Sequence, residues 1–134
     1  MARIFVDTSA WYAIGHPEDQ NHRRAVNVWE ALQRDKIEVL TSDWVFAETI
    51  SLATNRVGIR LARLMGDNIL ASPSLTILCI HPEMLSLIWG VFCSVSSHVS
   101  LVDSSSFFLM RQHRMSTAFT YDRHFADQGF EALT

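Results

Sequence analysis

Short runs of β-branched and aromatic residues alternate with segments of helical periodicity from one end of this chain to the other, and no feature constrains its fold more. The first run, residues 3–6, closes in Asp7-Thr8-Ser9, residue types that end a strand and cap a helix. Trp11, Tyr12 and Ile14 carry a helix to Gly15. After the polar His16-Pro17-Glu18-Asp19 loop, a second helix runs from about Asn21 to Arg34 with Ala25, Val28, Trp29 and Leu32 on its inner stripe. The spacing predicts further strands over residues 37–40, 75–80 and 117–121, that over 75–80 as a continuous apolar run suited to a sheet covered on both faces, with an edge strand near Phe130. Further helices are predicted up to Asn55, over 58–71, from Pro82 to Ser96, and from about Asp103 to His113.

Parallel neighbours need crossover connections, so this alternation predicts an α/β chain: a three-layer α/β/α sandwich around a central parallel sheet of four or five strands. With 134 residues, 49% hydrophobic and 19% charged, the sequence suits one domain over residues 1–134 and excludes a disordered chain. Cys79 and Cys93 lie in apolar runs, where a cysteine behaves as a small hydrophobe, and they are expected as free thiols in a reducing compartment. The segment before Asp7 is too short for a signal peptide. The apolar stretch 84–95 is interrupted by Ser86, Gly90 and Ser94 and falls short of the ~20 residues that span a bilayer, so no membrane helix and a cytoplasmic location are expected.

A formal charge of -3, from 14 acids and 11 bases, excludes nucleic-acid binding through bulk positive charge, so any such contact must be local. In open α/β sheets the working site lies beyond the carboxyl ends of the strands, where acids from distant parts of the chain converge. Asp7 and Asp122 both follow predicted strands. Each has an ordinary local reading, Asp7 as a helix cap and Asp122 as the head of an Asx-turn. Asp103 fits a helix start, and that start faces the same edge if the preceding helix crosses the sheet. Glu48 shares a helical face with Val45 and Leu52, which turns an acid toward apolar surroundings. A carboxylate there needs a partner, either a metal ion or a bent-back Arg56.

Two carboxylates about 5 Å apart repel by roughly 3 kcal/mol at an effective dielectric near 20, so a quartet requires either raised pKa values or a divalent cation. Hard oxygen donors without a nearby Cys-His set favour Mg²⁺ or Mn²⁺ over zinc, and such an ion suits phosphodiester hydrolysis. No single histidine forms an i, i+4 metal pair; His124 draws notice because it closely follows Asp122. The chain has no Gly-x-Ser-x-Gly or Walker loop, and the Ser104–Ser106 run reads as capping chemistry. Ten of the 11 basic residues are arginine, and Arg56, Arg60 and Arg63 fall at i, i+4 and i+7, one helical face either simply solvated or holding a phosphate backbone.

Taken in order, these residues make a pattern. Phe5-Val6-Asp7-Thr8-Ser9-Ala10-Trp11 is followed by the looser Asp19, His22 and Ala25, and by Val45-Phe46-Ala47-Glu48-Thr49. Ser100-Leu101-Val102-Asp103, Phe107, Met110, Ala118-Phe119-Thr120-Tyr121-Asp122-Arg123-His124-Phe125 and Gly129-Phe130 complete it. The chain resembles the PIN-domain ribonucleases, in particular the VapC-type toxins of prokaryotic toxin-antitoxin pairs, over nearly its whole length. The resemblance implies an acidic quartet of Asp7, Glu48, Asp103 and Asp122 that binds Mg²⁺ or Mn²⁺ and hydrolyses RNA to a 5′-phosphate and a 3′-hydroxyl. Asp7 and Asp103 are then the principal ligands, Glu48 and Asp122 complete the site partly through water, and Ser9 supports Asp7. It also implies an RNA substrate, a homodimer and a cognate antitoxin whose C-terminal segment lies in the site groove. Where relatives often carry further acids, this chain has Ser96, Ser97 and His98, which weighs against tight binding of a second metal; Asp127 is the nearest additional acid. A catalytically inactive PIN-like module that binds RNA or protein is the alternative, and the complete quartet counts against it. A signalling receiver is excluded by the lack of a late lysine, since Lys36 is the sole lysine.

Overall fold

The computed structural model describes residues 2–134 and contains five parallel strands in the order β3-β2-β1-β4-β5. In chain order the elements are β1 (Arg3–Val6), α1 (Thr8–Gly15), α2 (His22–Arg34), β2 (Glu38–Ser42), α3 (Asp43–Val57), α4 (Ile59–Leu70), β3 (Leu75–Leu78), α5 (Leu85–Ser94), α6 (Leu101–Gln112), β4 (Thr117–Phe119), α7 (His124–Asp127) and β5 (Glu131–Leu133). The α/β/α arrangement read from the sequence is therefore observed, with five strands. Phe5 pairs with Leu40 of β2 on one side and Ala118 of β4 on the other, which fixes β1 at the centre. The chain lays down β1, β2 and β3 outward in one direction, then returns to place β4 against the other side of β1. The β1/β4 boundary is thus the point where strand order reverses, and a crevice opens beyond the carboxyl ends of these two strands.

The core follows from this order. Phe5 and Val6 on the central strand are fully buried with Phe107, Leu109 and Met110 of α6 and Phe119 of β4. Phe107 meets Phe125 edge-on with ring centroids 4.9 Å apart, and stacks on Phe130 at 5.9 Å. Burying each such ring stabilises the fold by about 1.5–3 kcal/mol. Ala25 and Leu32 of α2 are buried, and Val28 and Trp29 pack partly against the core, as their spacing predicts.

Several boundaries differ from the sequence reading. The third strand ends at Leu78 and, as the sheet edge, has no fully buried residue, because an edge strand is covered on one flank only. Cys79 and Cys93 are both exposed for related reasons: the first follows that edge strand and the second lies on an outer face of α5. Pro82 opens a short 3₁₀ turn, Pro82–Met84, ahead of α5. The edge strand lies just past Phe130, which packs inward on Phe107. Gly58 adopts φ 97°, a left-handed conformation that suits glycine, and breaks the chain between α3 and α4. Arg56 therefore sits on α3 while Arg60 and Arg63 sit on α4, so the single basic helical face expected from their spacing does not exist.

Candidate metal-binding active site

Asp7 stands immediately beyond β1, and its backbone N–H bonds Phe119 O at 3.1 Å, extending the ladder to β4 past the strand end. It caps α1 and is 2% exposed. Its Oδ2 accepts from Ser9 Oγ at 2.9 Å and Thr120 Oγ1 at 3.0 Å, while Oδ1 is buried with no hydrogen-bond partner. Burial raises its pKa to about 6 from the ordinary 3.8, against the lowering effect of the Ser9 and Thr120 hydroxyls and the Thr8 backbone; the nearby Asp122 charge raises it further. The local capping reading and convergence on the crevice are thus both realised in one side chain.

Asp103 reaches the crevice differently. Ser100 is the cap of α6, so the helix starts at Leu101 rather than near Asp103. Ser100 Oγ accepts from Asp103 N at 3.0 Å, and the Asp103 side chain closes the reciprocal capping box at Ser100 N. Asp103 is buried, and its pKa is raised to about 7, first by loss of solvation, then by the charges of Asp7 and Asp122 and, less, Glu48. Glu48 projects from α3, whose cap is Ser42, and is half-buried; its Oε1 accepts a 2.6 Å hydrogen bond from Thr8 Oγ1. Asp122 follows β4, and its Oδ1 accepts from His124 N at 2.9 Å, which is the expected Asx-turn, while His124 Nδ1 lies 2.7 Å from the same oxygen.

These acids line one cleft of about 300 Å³ together with Tyr12, Asp19, Asn21, Arg56 and Tyr121. With Asp19, five carboxylates from separate segments line it, and no described residue forms an ion pair with Asp7, Glu48 or Asp103. The donor set fits a divalent cation. Asp7 Oδ1 is a buried, unpartnered acceptor, and Asp103, Asp122 and His124 each offer an atom within 4.8 Å of the others. That close trio contains His124, which spacing alone did not select, whereas Asp7 lies outside it.

A model of the PIN domain matches residues 4–131. The chain belongs to the PIN-domain family. This PIN domain is 30% identical over 128 residues to the 23S rRNA-specific endonuclease VapC20 of Mycobacterium tuberculosis, from strains CDC 1551 / Oshkosh and H37Rv, and covers 95% of each chain. It also superimposes on the crystal structure of M. tuberculosis VapC20, described as a Sarcin-Ricin loop cleaving toxin, with a TM-score of 0.84, 30% identity and 95% of both chains covered. It is thus a homologue of a VapC-type toxin.

Sequence reasoning missed the two threonines of the PIN-domain cleft. Ser9 was singled out as a support for Asp7, but Thr120 makes an equivalent bond and Thr8 serves Glu48. The signal available was a Thr within two residues of an acid at two strand ends. Asp127, on α7, and Ser96, Ser97 and His98 are exposed and do not line the cleft. Arg60 and Arg63 are also exposed and away from its lining, while Arg56 lines it.

Proposed function

We propose that this PIN domain is a metal-dependent endoribonuclease and the toxin of a toxin-antitoxin pair, with Asp7, Glu48, Asp103 and Asp122 as its catalytic acids. The observation that carries this reading is a complete set of carboxylates in one cleft, with a buried carboxylate oxygen that no protein group satisfies. Burial and mutual repulsion raise the Asp7 and Asp103 pKa values to about 6 and about 7, the kind of perturbation that accompanies carboxylates gathered for a cation.

Asp7 and Asp103 are the principal ligands for Mg²⁺ or Mn²⁺, and Glu48, Asp122 and His124 complete the set. Such a cation, when bound, activates water and neutralises charge on a phosphoryl oxygen. The protein contributes the alignment. Ser9 and Thr120 fix one oxygen of Asp7 so that the other faces the cleft, Thr8 holds Glu48, and the His124 backbone N–H holds Asp122, with the His124 ring 2.7 Å from the same oxygen. Water adds at phosphorus and the P–O3′ bond breaks with protonation of O3′, leaving a 5′-phosphate and a 3′-hydroxyl. Arg56, over the Tyr12 ring at 5.8 Å, supplies a cation at the cleft wall for the substrate backbone.

Because the M. tuberculosis relatives are 23S rRNA-specific endonucleases, 23S rRNA is the first RNA to test. A cognate antitoxin and a cytoplasmic site of action belong to the same reading. No helix among the described residues is long and apolar enough to cross a membrane. Homodimer formation is supported by the apolar side chains that α5 leaves exposed, Leu87 at 59% and Trp89 at 57%. The test is incubation of purified protein with ribosomal RNA in Mg²⁺, Mn²⁺ or EDTA, with end-group analysis of products. Cleavage that needs the metal and yields 5′-phosphates supports the proposal; cleavage that persists in EDTA, or none in either metal, refutes it.

A further inference from the structure

An acidic cleft repels the polyanion it is proposed to cut, so cations must stand beside it. Tyr12 and Arg56 supply one such wall. A second cavity of about 370 Å³ adjoins the cleft and shares Asn21, Tyr121 and Asp122 with it; Arg24, Arg123, Thr120, Ala132 and Thr134 complete its lining. Arg24 lies over the Tyr121 ring at 5.5 Å and donates to Asn21 Oδ1 at 2.6 Å, which orients its guanidinium toward this wall. Arg123 is exposed beside Asp122. Among the described residues neither arginine is ion-paired with a carboxylate, although the acid cluster is adjacent. The Tyr121 hydroxyl is buried and has no hydrogen-bond partner, and Tyr121 N donates to Ser9 Oγ at 2.9 Å, the same hydroxyl that holds Asp7.

Resting on the ribonuclease reading, we propose that Arg24, Tyr121 and Arg123 form a nucleotide subsite next to the scissile phosphodiester. The two guanidinium groups hold a flanking phosphate and Tyr121 contacts the adjoining nucleoside. Because Tyr121 and Asp7 share Ser9, a nucleotide docked there is placed in fixed relation to the acids. Arginine suits this task through its planar, multidentate donors, and an aromatic ring accepts any base by stacking. Of the two arginine–tyrosine pairs, Arg56 with Tyr12 then lines the acidic cleft and Arg24 with Tyr121 the cavity that adjoins it.

The experiment measures binding separately from cleavage. In an Asp103→Asn background, which keeps the RNA intact, a short fluorescein-labelled single-stranded RNA is titrated across a salt series. Arg24→Ala with Arg123→Ala is expected to weaken binding at least about tenfold and to reduce the log–log salt slope by about 1.4, two contacts at about 0.7 each. Tyr121→Leu is expected to weaken binding about tenfold. Arg60→Ala with Arg63→Ala, an equal charge change on α4, is expected to leave both quantities within about twofold of the background. Wild-type affinity and slope in the Arg24/Arg123 variant, or an equal loss in the Arg60/Arg63 variant, overturns the subsite. Both arginines are exposed, so their removal leaves the core intact, and thermal melts verify this if Tyr121→Leu fails to fold. Wild-type protein that cuts no RNA overturns the nuclease reading alone, while the binding series still decides the subsite.

Discussion

Thr8 and Glu48, 40 positions apart in sequence, are joined by a 2.6 Å hydrogen bond from the threonine hydroxyl to Oε1 of the glutamate. The bond ties the first turn of α1 to the middle of α3 at the mouth of the acidic cleft, and it orients a carboxylate that no arginine neutralises. A hydrogen bond to a charged group contributes about 1.5–3 kcal/mol.

Thr8→Val keeps the shape of the side chain and removes that donor. RNA cleavage in saturating Mn²⁺ is expected to fall about tenfold, with a stability loss of about 1 kcal/mol or less, because Glu48 is half-buried and gains solvent in exchange. Thr8→Ser, which restores the hydroxyl, is expected to recover most of the rate. Parallel cleavage assays and thermal melts check both.

The raised carboxyl pKa values make metal-free stability fall with rising pH. Asp7 and Asp103 titrate near 6 and 7 in the folded chain against 3.8 when unfolded, so the native state holds protons that the unfolded state releases. Their stabilising contribution is complete below pH 3.8 and is lost as pH rises through about 7. In EDTA, Tm at pH 8 is expected to lie roughly 5–10 °C below that at pH 5, as read by calorimetry. Mn²⁺ at pH 8 is expected to restore it, and Asp103→Asn to flatten the dependence.

These partner effects show where the sequence was transparent and where it was opaque. The strand-helix alternation exposed the parallel sheet, and the rule that sites lie beyond strand ends pointed to Asp7 and Asp122, whose backbone positions follow from local pattern alone. Thr120 was opaque because its bond to Asp7 spans 113 positions and depends on β1 and β4 being neighbours. α7, four residues long, is too short to show a helical period. An apolar run does not reveal whether its strand is central or at an edge, hence the exposed Cys79. The Arg56, Arg60 and Arg63 spacing misled because Gly58 turns the chain between them.

His124 is expected to matter to the cation through both its ring and its hold on Asp122. His124→Ala should weaken Mn²⁺ binding about ten- to a hundredfold, as measured by calorimetric titration, with little change in far-UV circular dichroism. Unchanged affinity would remove His124 from the site.

The exposed apolar face of α5 yields an assembly prediction. Wild-type protein is expected to sediment as a dimer at micromolar concentration, and Leu87→Glu with Trp89→Glu as a folded monomer, since both side chains are more than half exposed. Sedimentation velocity on the two proteins distinguishes them.

The proposal that acids from separate segments share one cation is tested most directly by titrating Mn²⁺ into metal-free protein under electron paramagnetic resonance, for wild type, Asp7→Asn and Asp103→Asn. Saturable binding by wild type, weakened at least about a hundredfold in each variant with the fold intact, is the predicted result. Equal Mn²⁺ affinity in all three proteins, or no saturable site in wild type, would contradict it.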